Sequence, residues 1–172
     1  FLKSPLAKEA RSYLEKRGLK ESTIKEFCLG FAPDKWDTLF KFLIKRKYSP
    51  SDIEAAGLII PGKKQGQYYD RFRGRIIFPI YNVYGEVIGF TGRILPGAEK
   101  KSAEQGKYIN TPQTLIYNKS TVLYGINLAK SFIRQADSVV LVEGNMDVIS
   151  SYQAGVKNVV CSSRPGLTEE QI

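Results

Sequence analysis

Histidine is absent from the 172 residues, and cysteine occurs only twice, at Cys28 and Cys161, far apart and without a Cys-x-x-Cys partner. These absences exclude histidine-based catalysis and a zinc ribbon, and each cysteine is expected to be a small buried hydrophobe. Long apolar runs are also missing: none approaches the roughly 20 residues that a membrane-spanning helix needs, and the N-terminus lacks the apolar core of a signal peptide. A cytosolic protein without membrane contact is therefore expected. Methionine occurs once, at Met146; the sequence starts at Phe1, and its last residues hold a Thr168-x-x-Gln171 capping pattern that predicts the start of a helix. Both ends are those expected of a piece cut from a longer chain.

What is present is enough for a folded domain. With 42% apolar and 25% charged residues, the chain can bury a core and falls in the size range of one domain or two small ones, so whole-chain disorder is excluded. The net charge of +9 is uneven: residues 1–137 carry 24 basic and 13 acidic side chains, whereas residues 138–172 carry two basic and four acidic ones. A basic front joined to a slightly acidic segment points to a polyanion, and nucleic acid is the commonest soluble one.

Periodicity divides the chain into three. In the first third, Ser4 and Pro5 open a helix that presents Leu6, Ala10, Tyr13 and Leu14 and stops at Gly18. A short helix over 21–28 follows. Trp36, Leu39, Phe40 and Leu43 fall at helical spacing and are expected to form a core stripe, and Ser49, Pro50 and Asp52 open a further helix ending at Gly57. In the middle, residues 75–81 and 87–95 are rich in β-branched and aromatic side chains and predict a hairpin around a turn at 83–86. Residues 96–107 lack apolar periodicity and predict a mobile loop. In the last third, short apolar runs at 138–142 and 158–161 flank a helix over 146–153. This pattern predicts a βαβ unit with parallel strands buried on both faces. The fold class is α+β: a mixed helical and β-rich basic part over residues 1–120, then the first βαβ of an α/β fold over 121–172.

The chemistry concentrates at Glu143-Gly144-Asn145-Met146-Asp147. In a βαβ unit the carboxyl ends of the strands form the ligand-binding edge, which is where Glu143 falls. Gly144 is expected to let the chain turn sharply into the helix that Asp147 begins. Carboxylates so placed suit a hard divalent cation or proton transfer, or else they cap the helix and favour its dipole.

An apolar strand, Glu-Gly-x-x-Asp, a helix and a second apolar strand resemble the first acidic motif of the Toprim fold. That fold is shared by bacterial primases, topoisomerases and OLD-family nucleases. Upstream segments narrow the resemblance to bacterial DNA primases of the DnaG type. They are Arg17-Gly18-Leu19, Leu29 to Pro33 ahead of Trp36-Asp37, Asp70 to Arg75 leading into Ile76 to Ile80, Gly85, Val87 to Arg93, Lys107 to Pro112 and Leu123-Tyr124-Gly125. Together they run from about Leu6 to Gln171.

The resemblance implies template-directed synthesis of short RNA primers on single-stranded DNA from ribonucleoside triphosphates. It implies Mg2+ or Mn2+ as cofactor, with Glu143 as a direct or water-mediated ligand or a general base, and with Asp147 beside it. It assigns a nucleic-acid and nucleotide groove to Arg17, Arg75, Arg93, Lys107 and Lys119. Beside them, the residue types of Tyr108 and Asn110 suit stacking on a base and a hydrogen bond to a nucleotide, or else ordinary anchoring of the loop. It also implies a zinc module upstream and a replicative helicase partner reached through regions outside this sequence. The second acidic motif of the Toprim fold, Asp-x-Asp, is not among these residues, so the piece alone is expected to be inactive. The turn at Ser162-Ser163-Arg164-Pro165-Gly166 departs from the small Gly-Thr turn of relatives. Two other classes fit parts of the pattern: a different Toprim nuclease or topoisomerase, and a non-catalytic single-strand-binding module.

Overall fold

A computed structural model describes residues 4–95, 106–162 and 166–171. The predicted loop over 96–107 falls almost wholly outside them, as does the centre of the Arg164-Pro165 turn. The N-terminal signals act as the sequence predicts. Ser4 accepts the Leu6 amide at 3.3 Å and opens a 3-10 turn, Pro5–Ala7, which runs into α1, Lys8–Lys16. Gly18 then ends the helix in the left-handed region. After α2, Glu21–Glu26, and the short β1, Gly30–Ala32, come α3, Thr38–Lys45, and α4, Pro50–Ala55. The side chain of Ser49 caps α4.

Four antiparallel strands form the main sheet in the order β1-β4-β5-β6, with β4 at Arg75–Tyr81, β5 at Val87–Ile94 and β6 at Tyr108–Asn110. The β4–β5 turn is built by the Asn82 side chain, which accepts the amides of Tyr84 and Glu86, with Gly85 at φ +85°. A separate ribbon pairs β2, Ile59–Pro61, with β3, Tyr68–Asp70. The predicted βαβ unit is present: β8, Val140–Val142, and β9, Val159–Ser162, are parallel and joined through α6, Asn145–Gln153. A further strand, β7, Leu123–Tyr124, pairs antiparallel with β9, and α5, Ile126–Ala136, follows it.

One hydrophobic core runs through the chain. Ala10 and Leu14 of α1, with Ile24, Phe27 and Phe31, pack on Ile76, Phe78 and Ile80 of β4. The same cluster continues through Tyr124 into Met146, Ile149, Tyr152 and Val159. Phe27 is the joint: its ring meets Tyr152 edge-on at 5.2 Å and stacks on Tyr124 at 6.3 Å. Polar bonds reinforce the seam. Gln153 accepts the Lys20 amide at 2.7 Å and donates to the Gly18 carbonyl at 2.8 Å, closing the end of α1 and the start of α2 together.

Three expectations are corrected here. The stripe of Trp36, Leu39, Phe40 and Leu43 is not core: Trp36 precedes α3 and is 68% exposed, and α3 has no buried residue. Its first amides, those of Leu39 and Phe40, are capped from a distance by the buried Asp70 carboxylate at 2.7 and 2.9 Å. Cys28 is exposed, set outside the core by a left-handed backbone just past α2, whereas Cys161 is buried. Strand β9 is buried, but β8 lies at the sheet edge with Val139, Val140 and Leu141 exposed, so burial on both faces holds for only one strand of the pair.

Candidate nucleic-acid and metal site

The carboxyl end of β8 delivers Glu143 to an open cleft of about 800 Å3. One wall is the end of β8 and the start of α6, with Glu143, Asn145 and Asp147. The opposite wall is the outer part of the main sheet, with Thr91 of β5 and Tyr108 and Asn110 of β6. Both acidic side chains are exposed, and neither lies within ion-pair distance of a basic group among the described residues, where the pairs are Lys25–Glu21 and Lys41–Asp37.

The sharp turn expected to require glycine at position 144 is not what the backbone shows. Gly144 is extended, at φ −142°, which any residue adopts. A Cβ there would stand 3.3 Å from Asp147 Oδ2, the end of an exposed side chain that a small rotation moves aside. Behind this wall the Cys161 thiol donates to Asn145 Oδ1 at 3.4 Å, and burial, reinforced by the Asp147 carboxylate, pushes that thiol up to about 12.

The sheet wall is set by register. Thr91 lies opposite Asn110 and Arg93 opposite Tyr108, so all four side chains share one face. The Thr91 hydroxyl donates to Asn110 Oδ1 at 2.8 Å, and that leaves the NH2 end of the amide as the donor for a ligand. The Arg93 guanidinium lies between two rings, 4.7 Å from the centroid of Tyr13 and 5.7 Å from that of Tyr108.

The donor set on the acidic wall is hard oxygen. Among the described residues no three His, Cys, Asp or Glu side chains come together, so the chain presents two carboxylates rather than a closed cage. Two carboxylates fit a cation such as Mg2+, which keeps several waters and takes further oxygens from phosphates.

Residues 1–130 match the family model described as the DNA primase catalytic core, N-terminal domain. The chain belongs to the DNA primase family. It is 40% identical to the DNA primase of Synechococcus elongatus over 99% of this chain and 24% of that protein. Its fold matches the RNA polymerase domain of Mycobacterium tuberculosis primase DnaG, solved in complex with a double-stranded DNA oligomer with a 6-nucleotide overhang. That match has a TM-score of 0.90 and 39% identity and covers 99% of this chain and 51% of that one. A DnaG primase catalytic domain bound to ssDNA matches with a TM-score of 0.85 and 36% identity, again over 99% of this chain and 51% of that one. The chain thus spans about a quarter of the length of the curated primase.

Within this primase segment, the residues singled out from sequence separate. Glu143, Asp147, Tyr108 and Asn110 line the same cleft, Lys107 is exposed next to Tyr108, and Arg93 lies against the Tyr108 ring. Arg17 is exposed at the end of α1, and Lys119 is half-buried in the segment before β7; neither lines the cleft. Arg75 corrects the groove assignment. Its side chain is fully buried and its guanidinium is engaged by main-chain carbonyls, so it presents nothing to a groove. Burial, with neighbouring Arg73, lowers its pKa.

Sequence reasoning missed a second aromatic and cationic surface in this primase segment. The Arg73 guanidinium covers the exposed Trp36 ring at 4.6 Å and the Tyr69 ring at 5.0 Å, and the two rings meet edge-on at 5.7 Å. The helical spacing of Trp36 with Phe40 and Leu43 hid it. The signal that separates it from core is Asp37, whose position before Thr38 marks the true start of the helix.

Proposed function

We propose that this chain is the template- and nucleotide-handling part of a primase, a DNA-directed RNA polymerase that makes short RNA primers on single-stranded DNA in the bacterial cytoplasm. The single observation that carries the reading is the cleft in which Glu143 and Asp147 face Tyr108 and Asn110. Membership of the primase family, and the DNA bound by two matching primase structures, support it. In the proposed reaction the 3′-hydroxyl of a primer or first nucleotide attacks the α-phosphate of a ribonucleoside triphosphate; a P–O bond forms, and the bond to pyrophosphate breaks.

The residues divide this work by chemistry. Tyr108 stacks on a base, the NH2 of Asn110 donates to the nucleotide, and Lys107 places a point charge against phosphate. Arg93, stacked on Tyr108, holds that ring at the cleft wall and adds positive charge behind it. Glu143 and Asp147 would hold Mg2+ or Mn2+, and the cation, when bound, would supply activation of the hydroxyl and neutralisation of phosphate charge. Arg17, Lys119 and the Trp36–Arg73–Tyr69 surface, which do not line the cleft, are assigned to contacts with the template strand. The division near residue 120 is one of function: the basic part before it grips template and nucleotide, and the segment after it contributes the carboxylates.

The test is primer synthesis by the whole protein carrying Glu143→Gln, measured beside its single-stranded DNA affinity. Synthesis is expected to fall by at least about 100-fold, with DNA binding retained. Undiminished synthesis would overturn the reading.

A further inference from the structure

Strand β6 is three residues long and pairs with β5 at only three positions, yet it carries two of the cleft residues. Residues 106 and 107 lie just before that pairing, and Arg75 holds them. Its Nη2 donates to the Gly106 carbonyl at 3.1 Å, and its Nη1 donates to the carbonyls of Lys107 and Gly92, both at 3.2 Å. The Lys107 carbonyl also accepts the Ile94 amide at 3.0 Å, so it is fixed from two sides.

Burying a guanidinium is costly unless its donors are matched; here Nη1 and Nη2 meet carbonyls, the buried Nε has no partner, and among the described residues no carboxylate lies within ion-pair distance of Arg75. Its path to these carbonyls exists because residue 92 has no side chain. A Cβ there would stand 3.1 Å from Arg75 Cδ and 2.7 Å from Phe72 Cδ1. A planar fork with two terminal nitrogens serves carbonyls on either side; the single nitrogen of lysine, on a shorter reach, does not.

We infer that Arg75 is a positioning residue for the cleft: it fixes the main chain at 106 and 107 so that Lys107 and Tyr108 are presented to nucleic acid, which Arg75 itself does not touch. The inference rests on the proposed roles of Lys107 and Tyr108, and its test separates the two. Single-stranded DNA binding by the whole protein is measured across a salt series, with thermal melting of each variant as a control for folding. Arg75→Met and Arg75→Lys are each expected to weaken binding about tenfold, the size of one coupling between contacting residues, the lysine variant doing so with its charge kept. In a background already carrying Lys107→Ala and Tyr108→Ala, the same substitutions are expected to cost less than about twofold.

In that background a phosphate contact made by Arg75 itself would appear as a salt dependence shallower by about 0.7 on substitution to Met. That result, or a full tenfold loss there, overturns the positioning role. If Arg75→Met melts before the assay temperature, Arg75→Lys decides: full affinity in that variant sinks the inference. Unchanged binding by Lys107→Ala and Tyr108→Ala together, with Arg75 intact, refutes the underlying reading and removes the positioning role with it.

Discussion

Thr91 and Asn110 are joined across β5 and β6 by a 2.8 Å hydrogen bond on the wall of the cleft, and Thr91 is 5% exposed. The threonine thereby fixes which end of the amide faces a ligand. Thr91→Val keeps the shape and removes the hydroxyl, leaving the amide free to rotate. Nucleotide affinity is expected to fall about fivefold, with a stability change near 1 kcal/mol, the usual net worth of one such bond. Titration calorimetry and urea denaturation read the two effects separately.

Gln153 ties α6 to the turn between α1 and α2 through its bonds to Lys20 and Gly18. Both partners are partly solvated, so Gln153→Ala is expected to lose about 1 kcal/mol rather than the larger penalty of a fully buried group. Equilibrium urea unfolding measures it. A loss matched by Gln153→Glu would show that the amide nitrogen, the half that donates to Gly18, carries the effect.

Asp70 runs against the usual acid trend. Burial raises its pKa above the ordinary 3.8 despite the lowering effect of the Leu39 and Phe40 amides. A carboxyl whose folded value lies above its unfolded one adds most to stability below pH 3.8, and that contribution is lost as pH rises through the folded value. The stability of the native protein relative to Asp70→Asn should therefore decline across that window as pH rises, and stay level above it. Parallel denaturation curves from pH 3.5 to 7 test this, and a difference that grows with pH would contradict it.

The cysteines should differ in reactivity by exposure. Cys28 is exposed and Cys161 is fully buried. Iodoacetamide at pH 8 is expected to label Cys28 and to spare Cys161 until the chain is unfolded. Peptide mapping after a timed pulse distinguishes them.

Much of this arrangement was legible in the sequence. The β-branched run at 75–81 became β4 with the same limits, and the apolar run ending in Glu143 delivered that residue to a cleft. Both depend on local period and on a strand-end rule that needs no distant partner. What stayed hidden depends on non-local partners. The capping of α3 by Asp70 spans some thirty residues, and so does the clamp of Arg75 on residues 106 and 107. Arginine reads as a surface cation until pairing between strands brings carbonyls to meet it. Strands β1, β2, β3, β6 and β7 are two or three residues long, too short to show a period.

The Phe27 ring, wedged between Tyr124 and Tyr152, bears on how the cleft can behave. A hinge between its two sides would have to pull an aromatic contact out of a close-packed interior, so packing inside this chain opposes relative motion of the two walls. A ligand entering the cleft would then meet walls already held in place rather than walls that close around it.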